Sequence, residues 1–139
     1  TAYTGRLKGV SFEVNQLLPG GVAVEGLYRF TDGDDENYDG GDRRDHYARA
    51  GARYLHPSGF SLFAAQIFKR QNFKEPGREN ETIWVTDCGI GYELPGKRGL
   101  VSLAVGNVFN HRFNWMEDGF VFSGRVPARQ IVFTTSLYF

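Results

Sequence analysis

Gln130-Ile131-Val132-Phe133-Thr134-Thr135-Ser136-Leu137-Tyr138-Phe139 is the stretch whose reading decides the fold. Ile131, Phe133, Thr135, Leu137 and Phe139 fall on one side of an extended strand, and Gln130, Thr134, Ser136 and Tyr138 on the other. Successive side chains of a strand point to opposite faces, so this alternation reads as a strand with one apolar face. The same period continues backward through the chain. Residues 100–109 place Val101, Leu103, Val105 and Phe109 against Ser102, Ala104, Gly106 and Val108. Residues 82–94 place Trp84, Thr86, Cys88, Ile90, Tyr92 and Leu94 against Asp87, Gly89, Gly91 and Glu93. Ala48, Ala50, Ala52 and Tyr54 alternate with Arg49, Gly51 and Arg53; Val22, Val24, Gly26, Tyr28 and Phe30 alternate with Glu25 and Arg29. Near the start, Val10, Phe12, Val14 and Leu18 oppose Ser11, Glu13 and Asn15. In 60–70 both parities are apolar, and hairpin parity with the preceding strand predicts Phe63, Ala65 and Ile67, rather than Phe60, Leu62 and Phe68, as the apolar face.

The connections alternate between two kinds. Leu18-Pro19-Gly20-Gly21, His56-Pro57-Ser58-Gly59 and Pro95-Gly96-Lys97-Arg98-Gly99 are short, and their Pro and Gly supply the fixed and positive backbone angles of tight reversals. The connections at 31–44, 71–81 and 110–127 are long and polar. In an up-and-down meander, alternate connections lie at the same end, so one end is trimmed and the other carries long loops. That is the asymmetry of an outer-membrane barrel. The expected fold is therefore all-β: an antiparallel up-and-down transmembrane β-barrel with about seven strands in residues 1–139. Aromatics cluster near both segment ends, as interfacial girdles would require. Tyr54, Phe60, Tyr92 and Phe139 lie near the short turns; Tyr28, Phe30, Phe68, Trp84 and Phe109 lie near the long loops.

Composition removes several alternatives. Sixteen basic residues balance 16 acidic ones, which argues against a general nucleic-acid binder. No apolar run approaches the roughly 18 residues of a spanning helix. Cys88 is the single cysteine, so neither an internal disulfide nor a cysteine-based zinc cluster is expected, and it reads as a small lipid-facing hydrophobe. No charged-then-apolar leader opens the chain, so an export signal is expected to have been removed or not included.

Two segments resemble known families. The terminal Gln130–Phe139 stretch resembles the last strand of bacterial outer-membrane proteins, which ends in Phe after hydrophobics at every second position; Thr135 interrupts that pattern. Leu103-Ala104-Val105-Gly106-Asn107-Val108-Phe109-Asn110-His111-Arg112-Phe113 is similar to the penultimate-strand motif of TonB-dependent receptors, with Val108 in place of the usual Leu and Phe113 in place of the commoner Tyr. Pro127-Ala128-Arg129 before the last strand also resembles barrels that follow periplasmic tetratricopeptide repeats. The first resemblance implies that Phe133, Leu137, Tyr138 and Phe139 form a signal read by the barrel-assembly machinery. The second implies an importer working with TonB; the third implies an export porin passing polysaccharide or protein outward. A soluble lipocalin-like binding barrel is the remaining possibility. The expected location is the bacterial outer membrane, with outer-membrane lipid as a partner and no nucleic acid.

Seven strands is an odd count, whereas single-chain bacterial barrels have even counts. With the C-terminus at the periplasmic side, the first strand would begin outside the cell. The chain is thus expected to be the C-terminal part of a larger barrel, whose other strands or N-terminal domain lie elsewhere in the same protein or in another chain. An eighth strand around Phe120-Val121-Phe122 is the competing count.

Candidate chemistry is sparse. Glu13, Glu25, Arg29, Arg49, Arg53 and Asp87 are the expected lumen-lining groups, with cross-strand pairing as their simplest role. The acidic run Asp32, Asp34, Asp35, Glu36, Asp39 and Asp42 lacks the closing Glu of a calcium loop and reads as a solvated external loop. Gly5, Gly9, Gly89 and Gly91 precede no helix and form no phosphate cradle. His46, His56 and His111, with Asp45 and Ser123, have no spacing that assembles a hydrolytic set, so no enzyme, cofactor or metal is expected.

Overall fold

The computed structural model describes residues 6–34, 43–74, 79–112 and 128–138. They form seven strands: β1 (Arg6–Leu18), β2 (Val22–Asp34), β3 (Arg43–Leu55), β4 (Phe60–Phe73), β5 (Glu81–Glu93), β6 (Gly99–Gly106) and β7 (Gln130–Leu137). Every sequential pair is antiparallel, giving a single meander in the order β1-β2-β3-β4-β5-β6-β7. The sheet is open, with β1 and β7 as its two edges. The alternative strand around 120–122 lies outside the described residues.

The turns close as their composition requires. Gly20 and Gly21 have φ of 83° and 79°, and Gly59 has 92°, in the left-handed region where a Cβ is penalised. The β3–β4 reversal is held by the His56 amide donating to the Phe60 carbonyl (2.7 Å) and the Gly59 amide to the His56 carbonyl (3.0 Å). A single 3-10 turn, Pro95–Lys97, joins β5 to β6.

Register fixes the two faces, because residues directly opposite one another across a pair point to the same side. Val10, Phe30 and His46 form one cross-strand row, and Val14, Gly26, Ala50, Gln66 and Thr86 another. Leu62, Ile90, Leu103 and Phe133 continue the same face across β4 to β7. This face is apolar and open: Phe12, Trp84, Ile131 and Phe133 are 66, 56, 68 and 68% exposed. Val105 and Leu137 lie on it as well. Among the described residues only Ala65, Ile83 and Val85 are buried apolar side chains, and they belong to the opposite face, with Ile67 packed beside them. Among the described residues no second layer covers this apolar side, whereas domains ordinarily bury such a side against another layer.

The structure corrects three sequence expectations. On β4 the apolar face is Phe60, Leu62, Ala64 and Phe68, because the His56–Phe60 closure pairs Tyr54 with Leu62 and Ala48 with Phe68. Phe63, Ala65 and Ile67 oppose Arg53, Gly51 and Arg49, and so share the polar face. The strands also run farther toward the long connections than alternation alone suggests: β2 continues to Asp34 and β3 begins at Arg43, so both ends of the connection read as 31–44 are strand. Conversely β6 stops at Gly106, since Asn107 takes a left-handed φ of 50°, and Phe109 lies beyond the strand, 65% exposed.

Candidate functional site

The six charged residues singled out from the sequence all lie on the polar face. Glu13 and Glu25 flank Leu27 and Gly51, Arg29 sits between Ser11 and Tyr47, Arg49 and Arg53 oppose Ile67 and Phe63, and Asp87 opposes Ala65. The structure brings some of them together and separates others. Glu25 and Arg49 form an ion pair at 2.8 Å, half exposed. Glu25 reaches sideways over Gly51, where an added Cβ would stand 2.7 Å from its carboxylate. Glu13 accepts a hydrogen bond from Asn15 (2.7 Å). Among the described residues Arg29 has no carboxylate partner.

Arg53 takes a different partner. Its guanidinium stands 5.6 Å from the centroid of the Phe63 ring, a cation–π contact. The ring in turn lies across β5 at Gly89, occupying the space a side chain there would need. Three strands are thus layered through Arg53, Phe63 and Gly89. Sequence parity misplaced Phe63, and the signal that could have placed it is the pairing of a large ring with a glycine on the next strand. Beside this stack is a hollow of about 480 Å³, lined by Asn15, Leu17, Glu25, Arg49, Arg53 and Phe63 among others. It sits toward the short-turn end. Toward the long connections the polar face is filled: Lys69 lies 5.7 Å from the Tyr47 ring centroid, and Arg43 pairs with Asp45 at 3.0 Å with both side chains nearly buried.

Asp87 has a structural partner. Its carboxylate accepts the Asn107 amide (2.8 Å) at the point where β6 ends. Asn107, buried, then clips the following turn: its side-chain amide donates to the His111 carbonyl (2.8 Å), and its oxygen accepts the His111 amide (2.9 Å). The Val108 amide donates to Thr86, and the Asn110 side-chain oxygen accepts the Arg129 amide at the approach to β7. Asn107 and Asn110 both have positive φ, 50° and 55°. Asparagine tolerates that conformation better than most residues. The two asparagines of the Asn-Val-Phe-Asn run therefore shape the departure from β6 and hold the return to β7.

On the apolar face the aromatics meet in pairs at both ends. Phe68–Trp84 (4.8 Å) and Phe30–His46 (5.0 Å) lie at the long-connection end, where the Tyr28 hydroxyl also contacts His46 Nδ1 (2.9 Å). Phe60–Tyr92 (5.1 Å) and Tyr54–His56 (6.0 Å) lie at the short-turn end. Cys88 sits between them, opposite Ala64 and Val105. Phe133 and Leu137 of the terminal segment are exposed on this face; the Tyr138 amide donates to the Arg98 carbonyl (2.9 Å), and Phe139 lies outside the described residues.

Among the described residues, His46, His56 and Asp45 do not come together. His46 and His56 stand at opposite ends of the apolar face, Asp45 points to the other side of β3 from His46, and Ser123 lies outside the described residues. Of the acidic run, Asp32 pairs with Arg44 (3.1 Å) and Lys74 (2.8 Å), while Asp35, Glu36, Asp39 and Asp42 lie outside the described residues. Comparison with protein-family models, curated proteins and solved structures returned no match.

Proposed function

We propose that this chain is the C-terminal part of a transport barrel of the bacterial outer membrane, similar to a TonB-dependent importer. One observation carries the reading: an apolar face continuous over seven strands, without Asp, Glu, Lys or Arg between its two aromatic rims, and backed by a charged polar face. Phe60 and Phe68 mark the rims on β4. Eight residue steps span about 27 Å along the strand, or about 21 Å of depth at a tilt near 40°, against the roughly 25 Å apolar band of outer-membrane barrels. A water-soluble sheet would hide this face, and nothing in the seven strands does so. The polar face then lines the lumen, with the Glu25–Arg49 pair and the Arg53–Phe63 stack as wall groups.

Fractionation tests the membrane assignment. The protein should pellet with outer membranes, resist salt and carbonate washing, and shift in gel mobility on boiling. Recovery in the soluble fraction without detergent would refute it. Conductance in planar bilayers tests the transport mode: a plugged importer stays closed, whereas a steady open conductance would favour the export porin.

A further inference from the structure

We propose that the hollow on the polar face of β1–β4 binds an organic monocarboxylate, with Arg53 holding the carboxylate. The inference rests on the reading that this face lines a lumen, and it names a ligand class for that wall. Leu17, Ala23, Arg53, Phe63 and Gly89 form one cross-strand row on the polar face. The row continues through Ala104 to Val132, and Arg53 is its one charged residue. Leu17 is 67% exposed, so the row offers open apolar surface close to a cation. The hollow of about 480 Å³ lies over this part of the row. Leu17, Ala23, Arg53 and Phe63 line it, together with Asn15, Glu25 and Arg49 from the next two rows.

The charges around Arg53 decide what the hollow can hold. Glu25 lies over Gly51, between Arg49 and Arg53 along β3, and pairs with Arg49 (2.8 Å). Arg53 turns toward β4 instead, its guanidinium 5.6 Å from the Phe63 ring centroid. Among the described residues it has no carboxylate partner. The other acids of this part of the face are placed elsewhere: Glu13 is two rows away and accepts the Asn15 amide, and Asp87 is two strands away and accepts the Asn107 amide. The row on the other side, Leu55, Ser61, Gly91, Ser102 and Thr134, carries no charge. An arginine steadied over a ring is ordered before any ligand arrives, and its planar fork of N–H donors matches the two oxygens of a carboxylate. Leu17 and Ala23 then receive the apolar body of the ligand. A second negative charge would face Glu25 and, farther off, Asp87, with Arg49 already taken. The occupant is therefore a monoanion with a small hydrocarbon part, not a dianion.

The experiment uses the protein extracted from its membrane in a non-ionic detergent, with binding read by fluorine NMR. The probes are para-fluorobenzoate, its neutral amide para-fluorobenzamide, and the dianion fluorophthalate, with acetate as a competitor. The benzoate should bind more tightly than both the amide and the phthalate, and equimolar acetate should not displace it. Arg53→Gln should weaken benzoate binding about tenfold, the loss of one charge-assisted pair at an exposed site. Phe63→Leu, which keeps the charge but removes its support, should cost about threefold. Arg29→Gln, three rows away on the same face, should leave the affinity unchanged. Heat-dependent gel mobility reports whether each variant folds. If Arg53→Gln does not fold, Glu25→Gln carries the test, and should strengthen phthalate binding about fivefold. Equal binding of benzoate and amide would overturn the proposal, as would displacement by acetate. An equal loss in Arg53→Gln and Arg29→Gln would do the same, since it would mark a diffuse field and no site. Recovery of the protein without detergent would instead overturn the lumen reading on which the proposal rests.

Discussion

A single arginine placed at the middle of the apolar face separates a lipid-facing sheet from a water-facing one. Ala64 is the site: it is exposed, it lies between Ala52 and Cys88, and it is four residues from each aromatic rim residue, Phe60 and Phe68. Four residues are about 13 Å along a strand, or about 10 Å of depth at the usual tilt, which places Ala64 near the bilayer midplane. An arginine facing lipid at that depth costs about 2–4 kcal/mol in a transmembrane barrel, falling to about 0–1 kcal/mol near the interface. The matched control is Thr82→Arg, on the same face but opposite Arg70, beyond the rim. On an exposed surface in water, both substitutions would fall within about 0.5 kcal/mol of neutral.

The assay is denaturant titration of the protein refolded into phospholipid vesicles, followed by tryptophan fluorescence. Refolding in vitro avoids the assembly machinery, so the measurement reports the membrane alone. Ala64→Arg should lower the folding equilibrium constant by about thirty- to several-hundred-fold, and Thr82→Arg by about fivefold at most. Equal midpoints for the two variants would refute the assignment of this face to lipid, whatever the fractionation shows.

Other substitutions test the polar face and the β6 exit. Gly89→Val should destabilise the fold by about 1–3 kcal/mol, since the new side chain meets the Phe63 ring and stands against the Leu103 carbonyl; equilibrium unfolding reads it. Glu25→Gln should change stability by less than about 1 kcal/mol, because the Glu25–Arg49 pair is half exposed, while leaving Arg49 uncompensated and shifting ion selectivity in bilayer recordings toward anions. Asn107→Ala should cost about 1–2 kcal/mol more than Asn107→Gly, since both lose the His111 bonds but only alanine resists the positive φ; amide exchange at His111 should quicken in both.

The alternation of apolar residues was readable wherever one parity was clearly polar, as in β2 with Glu25 and Arg29 or β3 with Arg49 and Arg53. It failed on β4, where Phe63 and Ile67 compete with Leu62 and Phe68, because period alone cannot choose between two apolar parities. The deciding facts are relational: a turn that pairs Tyr54 with Leu62, and a glycine at 89 that leaves room for Phe63 on the polar side. Strand ends were equally hidden. Thr31–Asp34 has loop composition, yet Asp32 is drawn into the ladder by Arg44 and Lys74, partners 12 and 42 positions away in sequence. Asn107 and Asn110 stand in the sequence as a motif without a mechanism; their positive φ, the two bonds between Asn107 and His111, and the Arg129 amide donating to Asn110 supply one. The cross-strand row of Lys8, Asp32, Arg44 and Asn72 could not be seen at all, since these residues become neighbours only through register.

On the barrel reading, the direction of the two edges constrains what completes the wall. In a meander every odd-numbered strand runs the same way, so β1 and β7 are parallel to one another. Pairing them directly would put one parallel contact into an otherwise antiparallel sheet, and the result would be a seven-stranded ring. That ring is smaller than the eight strands whose interior is just wide enough for side chains to fill. Among the described residues neither edge is covered: β1 presents Phe12 and Val14, and β7 presents Ile131 and Phe133, all exposed, and apolar edges of this kind invite further strands. Antiparallel closure from β7 back to β1 requires an odd number of added strands. On the barrel reading the complete wall therefore has an even total of eight or more, in keeping with the even counts of bacterial single-chain barrels, and the missing strands must supply two outer edges that run opposite to β1 and β7.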